Sequence, residues 1–202
     1  MLLHKLLEGK KLVLASNSPR RRQLLGGLDV NFEVWSANHD NESFPNDLPV
    51  ELVPLFLARQ KATPFQRILT PEIILITCDT VVLCNNQIVG KPANYNDAYQ
   101  TLKLLSGSKH TVITGTSITS SAKSSGFRAR TDVYFRNITD EEIHYYINKY
   151  SPYDKAGAYG IQEWIGYVGI ERIDGSYFNV MGLPVQQLHT ELINFLSDET
   201  LM

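Results

Sequence analysis

The chain has 202 residues, of which 43% are hydrophobic and 20% are charged, and its formal net charge is -2. Such a chain is typical of one well-buried domain, or of one domain with two lobes around a cleft. The weak negative charge argues against a general affinity for nucleic acid. No apolar run approaches the roughly 20 residues of a membrane-spanning helix, and the N-terminus lacks the continuous apolar core of a signal peptide.

The two cysteines, Cys78 and Cys84, lie in one candidate strand, where an extended backbone places them roughly 20 Å apart. They are therefore too far apart for a disulfide, and we expect both to be reduced. Reduced thiols and no secretion signal predict a cytoplasmic protein. The histidines are scattered, without the spacing of a zinc site.

The first predicted strand runs from Lys11 to Ala15, and a polar turn with Ser16 follows it. Ser18-Pro19 then has the pattern of an N-cap and a first helical residue. A helix that begins there offers unpaired amides and a positive dipole end to an anion. Consecutive arginines point to different sides of a helix, so they cannot all contact one anion. We expect Arg20 to contact the anion and Arg22 to lie at the surface. Three solvated arginines remain the alternative.

Residues 49–69 have helical spacing, with Val53, Leu57 and Lys61 at four-residue steps on one stripe. This pattern predicts that Lys61 faces inward. A phosphate ligand and a lysine that snorkels to water from the end of the stripe explain it about equally well.

Asp79 stands in the middle of an apolar run that begins at Ile73 and predicts a strand buried on both faces. A buried carboxylate costs several kcal/mol unless a cation, a metal or hydrogen bonds offset it, which makes Asp79 a candidate functional residue. The alternative is that the strand ends near Thr77 and that Asp79 caps a turn. Asn85-Asn86 predicts a hairpin whose return arm brings the Lys91 ammonium near Asp79.

Several further elements are predicted downstream. They are a helix from Asn96 to Leu105, strands over Thr111 to Thr119 and Phe127 to Arg136, a helix opened by a Thr139–Glu142 capping box, a short strand pair around Asp174-Gly175 and a last helix from Pro184 to Leu196. The segment 154–162 is a small-residue loop with polar ends, including Lys155 and Gln162. Cations at several places around carboxylates suit a polyphosphate with a divalent metal, although no P-loop or dinucleotide fingerprint is present.

These segments occur in a recognisable order. They are LASNSPRRRQLL, NES, ARQKA, CDTVV, GKP, LSGSKH, YDKAGAYGIQ and IDGSYFNVMGLP. Over nearly the whole chain they resemble the Maf family of nucleoside triphosphate pyrophosphatases. The resemblance implies a single α/β domain over residues 1–202, with a mixed twisted sheet, flanking helices and a central cleft, similar to inosine-triphosphatase-type folds.

The resemblance also implies an activity and a site. The family hydrolyses the bond between the α- and β-phosphates of a nucleotide with a divalent metal, Mg²⁺ or Mn²⁺, in a house-cleaning role. Asp79 matches the catalytic base, and Asp79 and Glu42 match metal ligands. The implied substrate positions are Ser16, Arg20, Lys61, Thr80, Lys91, Lys155 and Gln162. Cys78 stands where alanine is usual, and the acidic loop HDNES lacks the usual Asp-Glu pair before serine.

The version KAGAYGIQ resembles the branch of the family that acts on dTTP and UTP. The Gln162 amide offers both a donor and an acceptor. These match the alternating carbonyl and N–H groups on the edge of uracil or thymine. The alternative is that Gln162 only braces the loop.

Two other functions compete with this one. A phosphatase with an aspartate nucleophile would need an acid where Val81 stands, whereas a nucleotide-binding regulator of cell division with little turnover stays open, as does a homodimer.

Overall fold

The computed structural model describes residues 2–36 and 43–197. The chain forms two compact units. Unit 1 comprises Met1–Asp79, Thr114–Ala129 and Gly182–Met202, and unit 2 comprises Thr80–Ile113 and Arg130–Met181. The chain changes unit four times, within the strands β3, β5 and β6 as bounded below and between Met181 and Gly182.

The strands of the described residues are β1 Lys11–Ala15, β2 Glu33–Trp35, β3 Ile73–Cys84, β4 Gln87–Val89, β5 Lys109–Thr119, β6 Ser124–Phe135 and β7 Ile170–Asp174. The α-helices are α1 Leu3–Leu6, α2 Pro19–Gly26, α3 Val53–Ala62, α4 Tyr95–Leu105, α5 Asp140–Tyr150, α6 Trp164–Gly169, α7 Tyr177–Met181 and α8 Val185–Ser197. Short 3-10 turns occupy Thr63–Ile68, Pro152–Asp154 and Ala156–Ala158.

Within the described ranges the strands form one mixed sheet in the order β2-β1-β3-β5-β6-β7, and β4 pairs with β3. Strand β1 runs parallel to both neighbours, with Leu14 opposite Val34 of β2 and opposite Ile76 of β3. Strands β4 and β7 run antiparallel to β3 and β6, respectively. The predicted α/β class with a mixed sheet and flanking helices is confirmed.

Apolar side chains of β1, β3 and the α3 region form a core cluster in unit 1. Its buried members are Val13, Ala15, Ala62, Leu69 and Leu75. The Trp35 and Phe65 rings close this cluster with their centroids 5.6 Å apart. Burial of such side chains stabilises each by about 1.5–3 kcal/mol relative to exposure, so this cluster fixes α3 on the sheet.

Helix α3 packs on the backbone of β5 at Gly115. A Cβ atom at Gly115 would lie 2.2 Å from the Leu55 nitrogen and 2.3 Å from the Pro54 carbonyl carbon. We expect Gly115→Ala to force α3 off the sheet and to lower the free energy of unfolding by about 1–3 kcal/mol, because backbone atoms have no rotamer that relieves the overlap. Urea unfolding measures this change. Gly90→Ala is the control, since nothing lies within 4 Å of its added carbon, and an equal loss there would contradict the explanation.

The predicted hairpin of unit 2 is confirmed. Asn85 and Asn86 link β3 to β4 and both have positive φ, 52° and 60°. Asparagine tolerates this left-handed region better than most residues, which is why two of them form the turn. The helix predicted from Asn96 to Leu105 is also confirmed as α4, whose buried residues are Ala98, Leu102 and Leu105.

Helix α5 begins with the predicted capping box. The Thr139 side chain accepts from the Glu142 amide, and the Glu142 carboxylate accepts from the Thr139 amide at 2.9 Å. The Arg136 guanidinium donates to both oxygens of that carboxylate, at 2.7 and 3.0 Å. Hydrogen bonds from Arg136 and from the Thr139 amide lower the pKa of Glu142 from 4.5 to about 2.

This lowered pKa predicts a stability difference that depends on pH. Because the folded state favours the ionised carboxylate, the stabilisation is present above pH 4.5 and is lost as the pH falls towards about 2. Glu142→Gln should therefore be less stable than wild type at pH 7, and the gap should narrow at pH 3. Unfolding in urea at both pH values measures it, with Glu141→Gln as the neighbouring exposed control. A larger difference in the free energy of unfolding between Glu142→Gln and wild type at pH 3 than at pH 7 would contradict the lowered pKa of Glu142.

The predicted strand pair around Asp174-Gly175 was wrong. Strand β7 ends at Asp174 and pairs with β6, and the chain then turns through Gly175, whose φ is 128°, into α7. The Thr131 hydroxyl makes this turn, because it accepts from the Ser176 amide at 3.0 Å and lies 3.2 Å from the Ser176 carbonyl oxygen. The contact between Thr131 of β6 and Ser176 therefore favours a turn into α7, where the local Asp174-Gly175 pattern predicted a strand pair.

Both cysteines are buried free thiols in β3. Burial raises the pKa of Cys78, so this thiol is not a nucleophile at neutral pH. Among the described helices, none has the length and apolar character needed to cross a lipid bilayer.

Candidate active site

Asp79 lies inside β3, and only 7% of its surface is exposed. The strand continues to Cys84, so the alternative in which it ends near Thr77 was wrong. One Asp79 carboxylate oxygen accepts a hydrogen bond from the Lys61 ammonium, and the two side chains are 10% and 11% exposed, respectively. A buried ion pair of this kind offsets a desolvation cost of several kcal/mol per ion, which either charge alone would meet in full.

Helix α3 places Lys61 at this carboxylate. Val53, Leu57 and Lys61 are all buried on its inner face, as their spacing predicts. The Thr77 hydroxyl donates to the Ala58 carbonyl at 2.6 Å and ties the helix to β3 three residues before Lys61. Since the ammonium meets Asp79 inside the protein, the interpretation in which Lys61 snorkels to water was wrong.

The start of α2 has the predicted geometry. The Ser18 side chain accepts from the Arg21 amide at 3.4 Å, and Pro19 is the first helical residue. Ser16 is buried, and its hydroxyl oxygen accepts from the Ser18 amide at 3.3 Å. These bonds fix a tight turn between β1 and a helix start whose dipole favours an anion.

No role was predicted for Arg21, the arginine that joins helix α2 to β3. Its guanidinium donates at 2.8 Å to the Cys78 carbonyl and at 2.8 Å to the Gly182 carbonyl. It therefore holds the start of α2 against β3, one residue before Asp79. Arg21 precedes the buried Leu24 and Leu25 by three and four residues, a helical spacing that could have identified it.

The other two arginines have different environments. Arg20 is half-buried and Arg22 is exposed, as expected for a surface charge. The predicted role of Arg20 at a bound anion stays a prediction.

The register of the sheet places these groups at one level of unit 1. Leu14 pairs with Ile76, so Ser16 leaves the sheet where β3 reaches Cys78 and Asp79. Arg21 then joins the helix start to Cys78. Unit 1 therefore combines a helix start whose dipole favours an anion with a buried carboxylate and its lysine.

Unit 2 holds the remaining predicted residues. Thr80 is half-buried in β3, and Lys91 is exposed just after β4, so the approach of Lys91 to Asp79 stays a prediction. Lys155 is buried, with its ammonium 2.8 Å from the Asp154 carboxylate and 3.1 Å from the Glu163 carboxylate. Glu42, the second predicted metal ligand, lies outside the described residues.

The loop 155–162 is held to the rest of unit 2 by close contacts. The Gly157 amide donates to the Gly90 carbonyl at 3.1 Å, and the Tyr159 hydroxyl lies 2.8 Å from the His110 ring nitrogen Nε2. Burial lowers the pKa of His110 to about 4, so the ring is neutral at pH 7 and has a packing role.

Gln162 emerges from this loop half-buried. Its Oε1 atom is buried and has no hydrogen-bond partner among the residues that the structure describes. Buried acceptors are nearly always satisfied in folded proteins, which makes this oxygen a candidate acceptor for a ligand, although the His110 Nδ1 atom is likewise unpartnered among the described residues.

The described ranges contain no group of three or more histidine, cysteine, aspartate or glutamate side chains that could hold a metal ion. Mg²⁺ in nucleotide sites is commonly held by one or two carboxylates together with substrate phosphates. Asp79 fits the role of one such carboxylate.

Comparison with known proteins agrees with the resemblance seen in the motifs. The family described as Maf-like protein matches residues 11–195. A dTTP/UTP pyrophosphatase of Parabacteroides distasonis is 51% identical over 94% of this chain and 98% of its own length. A protein of the same name from Phocaeicola vulgatus is 50% identical, over 92% of this chain and 96% of its own. A solved dITP/XTP pyrophosphatase of Mycobacterium abscessus gives a TM-score of 0.42 at 13% identity, over 92% of this chain and 98% of that one. On the extent of the family match and the identity to these relatives, this chain belongs to the Maf family.

Proposed function

We propose that this protein hydrolyses the bond between the α- and β-phosphates of nucleoside triphosphates to a nucleoside monophosphate and pyrophosphate. We further propose that dTTP and UTP are its best substrates and that it removes unwanted nucleotides from the pool. The buried ion pair of Lys61 and Asp79 beside the start of α2 is the observation that most supports the chemistry. The printed activity of the relatives that are 50% and 51% identical supports the substrate class.

In this proposal Asp79 is the general base. A water oxygen attacks the α-phosphorus, its proton passes to the Asp79 carboxylate, and the bond to the oxygen that bridges the α- and β-phosphorus atoms breaks. Pyrophosphate leaves on the opposite side. Lys61 orients the carboxylate, because the two groups pair in a buried place.

The remaining residues bind the triphosphate. The amides at the start of α2, together with Ser16 and Arg20, face an anion at the positive end of a helix dipole. Thr80, Lys91 and Lys155 are proposed to complete the substrate contacts. Lys155 already pairs with two carboxylates, so we expect it to contribute less to phosphate binding than Lys91.

A divalent cation, Mg²⁺ or Mn²⁺, is proposed to be held by Asp79 and Glu42 together with phosphate oxygens. When bound, it supplies charge neutralisation on the triphosphate and helps to orient the attacking water. Of the two proposed ligands, only Asp79 lies among the described residues. One carboxylate suits a cation that binds together with the substrate phosphates.

A binding regulator of cell division without turnover is the weaker candidate, since the relatives are named for a hydrolytic activity. A panel of canonical and modified nucleoside triphosphates, assayed separately for pyrophosphate and orthophosphate, tests the proposed activity. Pyrophosphate as the product is expected. Release of orthophosphate, or binding without any product, would overturn it.

Gln162 is proposed to read the base. Its buried, unpartnered Oε1 would accept from the N3–H group of uracil or thymine, and its amide would donate to a neighbouring carbonyl. Gln162→Ala should lower kcat/KM for dTTP and UTP by about 10- to 100-fold, the effect of leaving a buried partner unpaired. The same substitution at the exposed Gln66 is the control. An unchanged ranking of dTTP, UTP, CTP and 7-methyl-GTP would remove Gln162 from this role, and a wild-type preference for the methylated purine would overturn the substrate class.

The cytoplasmic location and the homodimer both stay predictions. Two buried free thiols are compatible with a reducing compartment.

A further inference from the structure

A chain of hydrogen bonds in unit 2 begins at Tyr146 of α5 and involves residues outside the site described above. The Tyr146 hydroxyl accepts from the Gly160 amide at 3.0 Å and donates to one oxygen of the Glu163 carboxylate. The other Glu163 oxygen lies 3.1 Å from the Lys155 ammonium. Both oxygens of Glu163 are therefore engaged, and the carboxylate has a fixed orientation.

The two bonds of the Tyr146 hydroxyl fall on either side of Gln162. Gly160 precedes that residue by two positions and Glu163 follows it directly. The Glu163 amide also donates to the Gly160 carbonyl at 3.0 Å, which closes the turn. A Cβ atom at Gly160 would lie 2.8 Å from the Glu163 carboxyl carbon and 3.0 Å from the Gln162 Nε2 atom, so the turn has no spare space.

The two hydrogen bonds of the Tyr146 hydroxyl restrain the turn 160–163. Tyr146 is completely buried, and burial together with its bond to Glu163 raises its pKa well above the ordinary range. Its hydroxyl therefore keeps its proton at neutral pH and donates to Glu163. Glu163 is 18% exposed and neutralises Lys155 next to the turn.

We propose that Tyr146 is a specificity-positioning residue, which holds the turn 160–163 so that the Gln162 amide faces the base edge, with Glu163 as its anchor. This inference rests on the proposed function, because it needs Gln162 to contact the base. It assigns a role to two residues that touch neither the phosphates nor the reacting atoms. A phenol oxygen bonded on both sides of one residue restricts that residue more than a bond to a single neighbour would.

The test compares UTP with 3-methyl-UTP, in which a methyl group replaces the N3–H hydrogen. Tyr146→Phe removes the hydroxyl and keeps the ring, and Tyr145→Phe is the matched control on the exposed side of the same helix, where the hydroxyl accepts from Lys149. We expect Tyr146→Phe to lower kcat/KM for UTP by about tenfold, as for a lost buried hydrogen bond, while 3-methyl-UTP hydrolysis changes little. The ratio between the two substrates therefore falls towards one.

A second pair of variants keeps the test independent of how Tyr146→Phe folds. Glu163→Gln retains an oxygen that accepts from the Tyr146 hydroxyl, whereas Glu163→Leu does not. The first should keep most of the UTP to 3-methyl-UTP ratio, and the second should lose it. Each variant is first checked for an unchanged thermal transition.

Two results would overturn the inference. Tyr146→Phe and Glu163→Leu could leave kcat/KM for both substrates at the wild-type values, or they could lower both by the same factor, as a residue with a purely structural role would. In either case wild type would still hydrolyse UTP and the proposed function would stand. Failure of wild type to hydrolyse any nucleoside triphosphate would overturn the proposed function itself, and the inference with it.

Discussion

Asp79→Asn should fold and bind nucleotide, yet hydrolyse dTTP at least about 100-fold more slowly than wild type, since a positioned general base contributes about 10²–10⁴. Asparagine keeps the shape of the side chain and an oxygen that can accept from Lys61. It cannot take a proton from water. The expected result is a loss in kcat with little change in KM, measured by steady-state release of pyrophosphate.

Asp29→Asn is the matched control for this substitution. Asp29 is exposed with φ of 53°, a conformation that asparagine also tolerates, so the control should retain wild-type turnover. Near-wild-type turnover by Asp79→Asn would remove Asp79 from the role of base. Turnover absent from wild type, with nucleotide still bound, would instead favour the regulator without catalysis.

Lys61→Met should have the largest effect on stability. It leaves the Asp79 carboxylate buried without its cation, and breaking a buried pair in this way lowers the free energy of unfolding by about 3–5 kcal/mol. The double variant Lys61→Met/Asp79→Leu should recover most of this loss, because apolar side chains of similar volume replace both charges. It should remain inactive, since the base is gone. Urea unfolding and a dTTP assay on wild type and on the two variants measure both effects.

The surface pair of Lys103 with Asp140 provides a control for charge removal. Its ammonium lies 2.8 Å from the carboxylate, but the two side chains are 44% and 57% exposed. Solvent screens such a pair, so Lys103→Met should leave the unfolding midpoint close to that of wild type. Equal stability of Lys61→Met and wild type would contradict the buried-pair account, as would failure of the double variant to recover.

The sequence predicted those parts of the site that local patterns determine. Strand β1 was predicted with its observed bounds, and Ser18-Pro19 predicted the start of α2. The four-residue spacing that ends at Lys61 predicted an inward lysine, and the apolar run around Asp79 predicted a buried carboxylate. In each case the period of a helix or strand, or the chemistry of a cap, is contained within a few neighbouring residues.

The contacts that join distant segments could not be predicted in this way. Arg21 binds carbonyls at Cys78 and Gly182, which lie 57 and 161 positions away along the chain. Tyr146 reaches Glu163 across 17 positions, and nothing in the local pattern of α5 indicates the partner of its hydroxyl. The wrong strand pair at Asp174-Gly175 has the same origin, because Thr131 of another strand determines the turn there.

In the proposed reaction, water attacks the α-phosphorus and pyrophosphate leaves. Hydrolysis of dTTP in water enriched in oxygen-18, followed by mass spectrometry of the products, identifies the phosphorus atom that is attacked. One labelled oxygen in the thymidine monophosphate and none in the pyrophosphate are expected, and Asp79→Asn should form at least about 100-fold less labelled monophosphate over the same interval. Label in the pyrophosphate, or labelled orthophosphate with thymidine diphosphate, would contradict the proposed reaction.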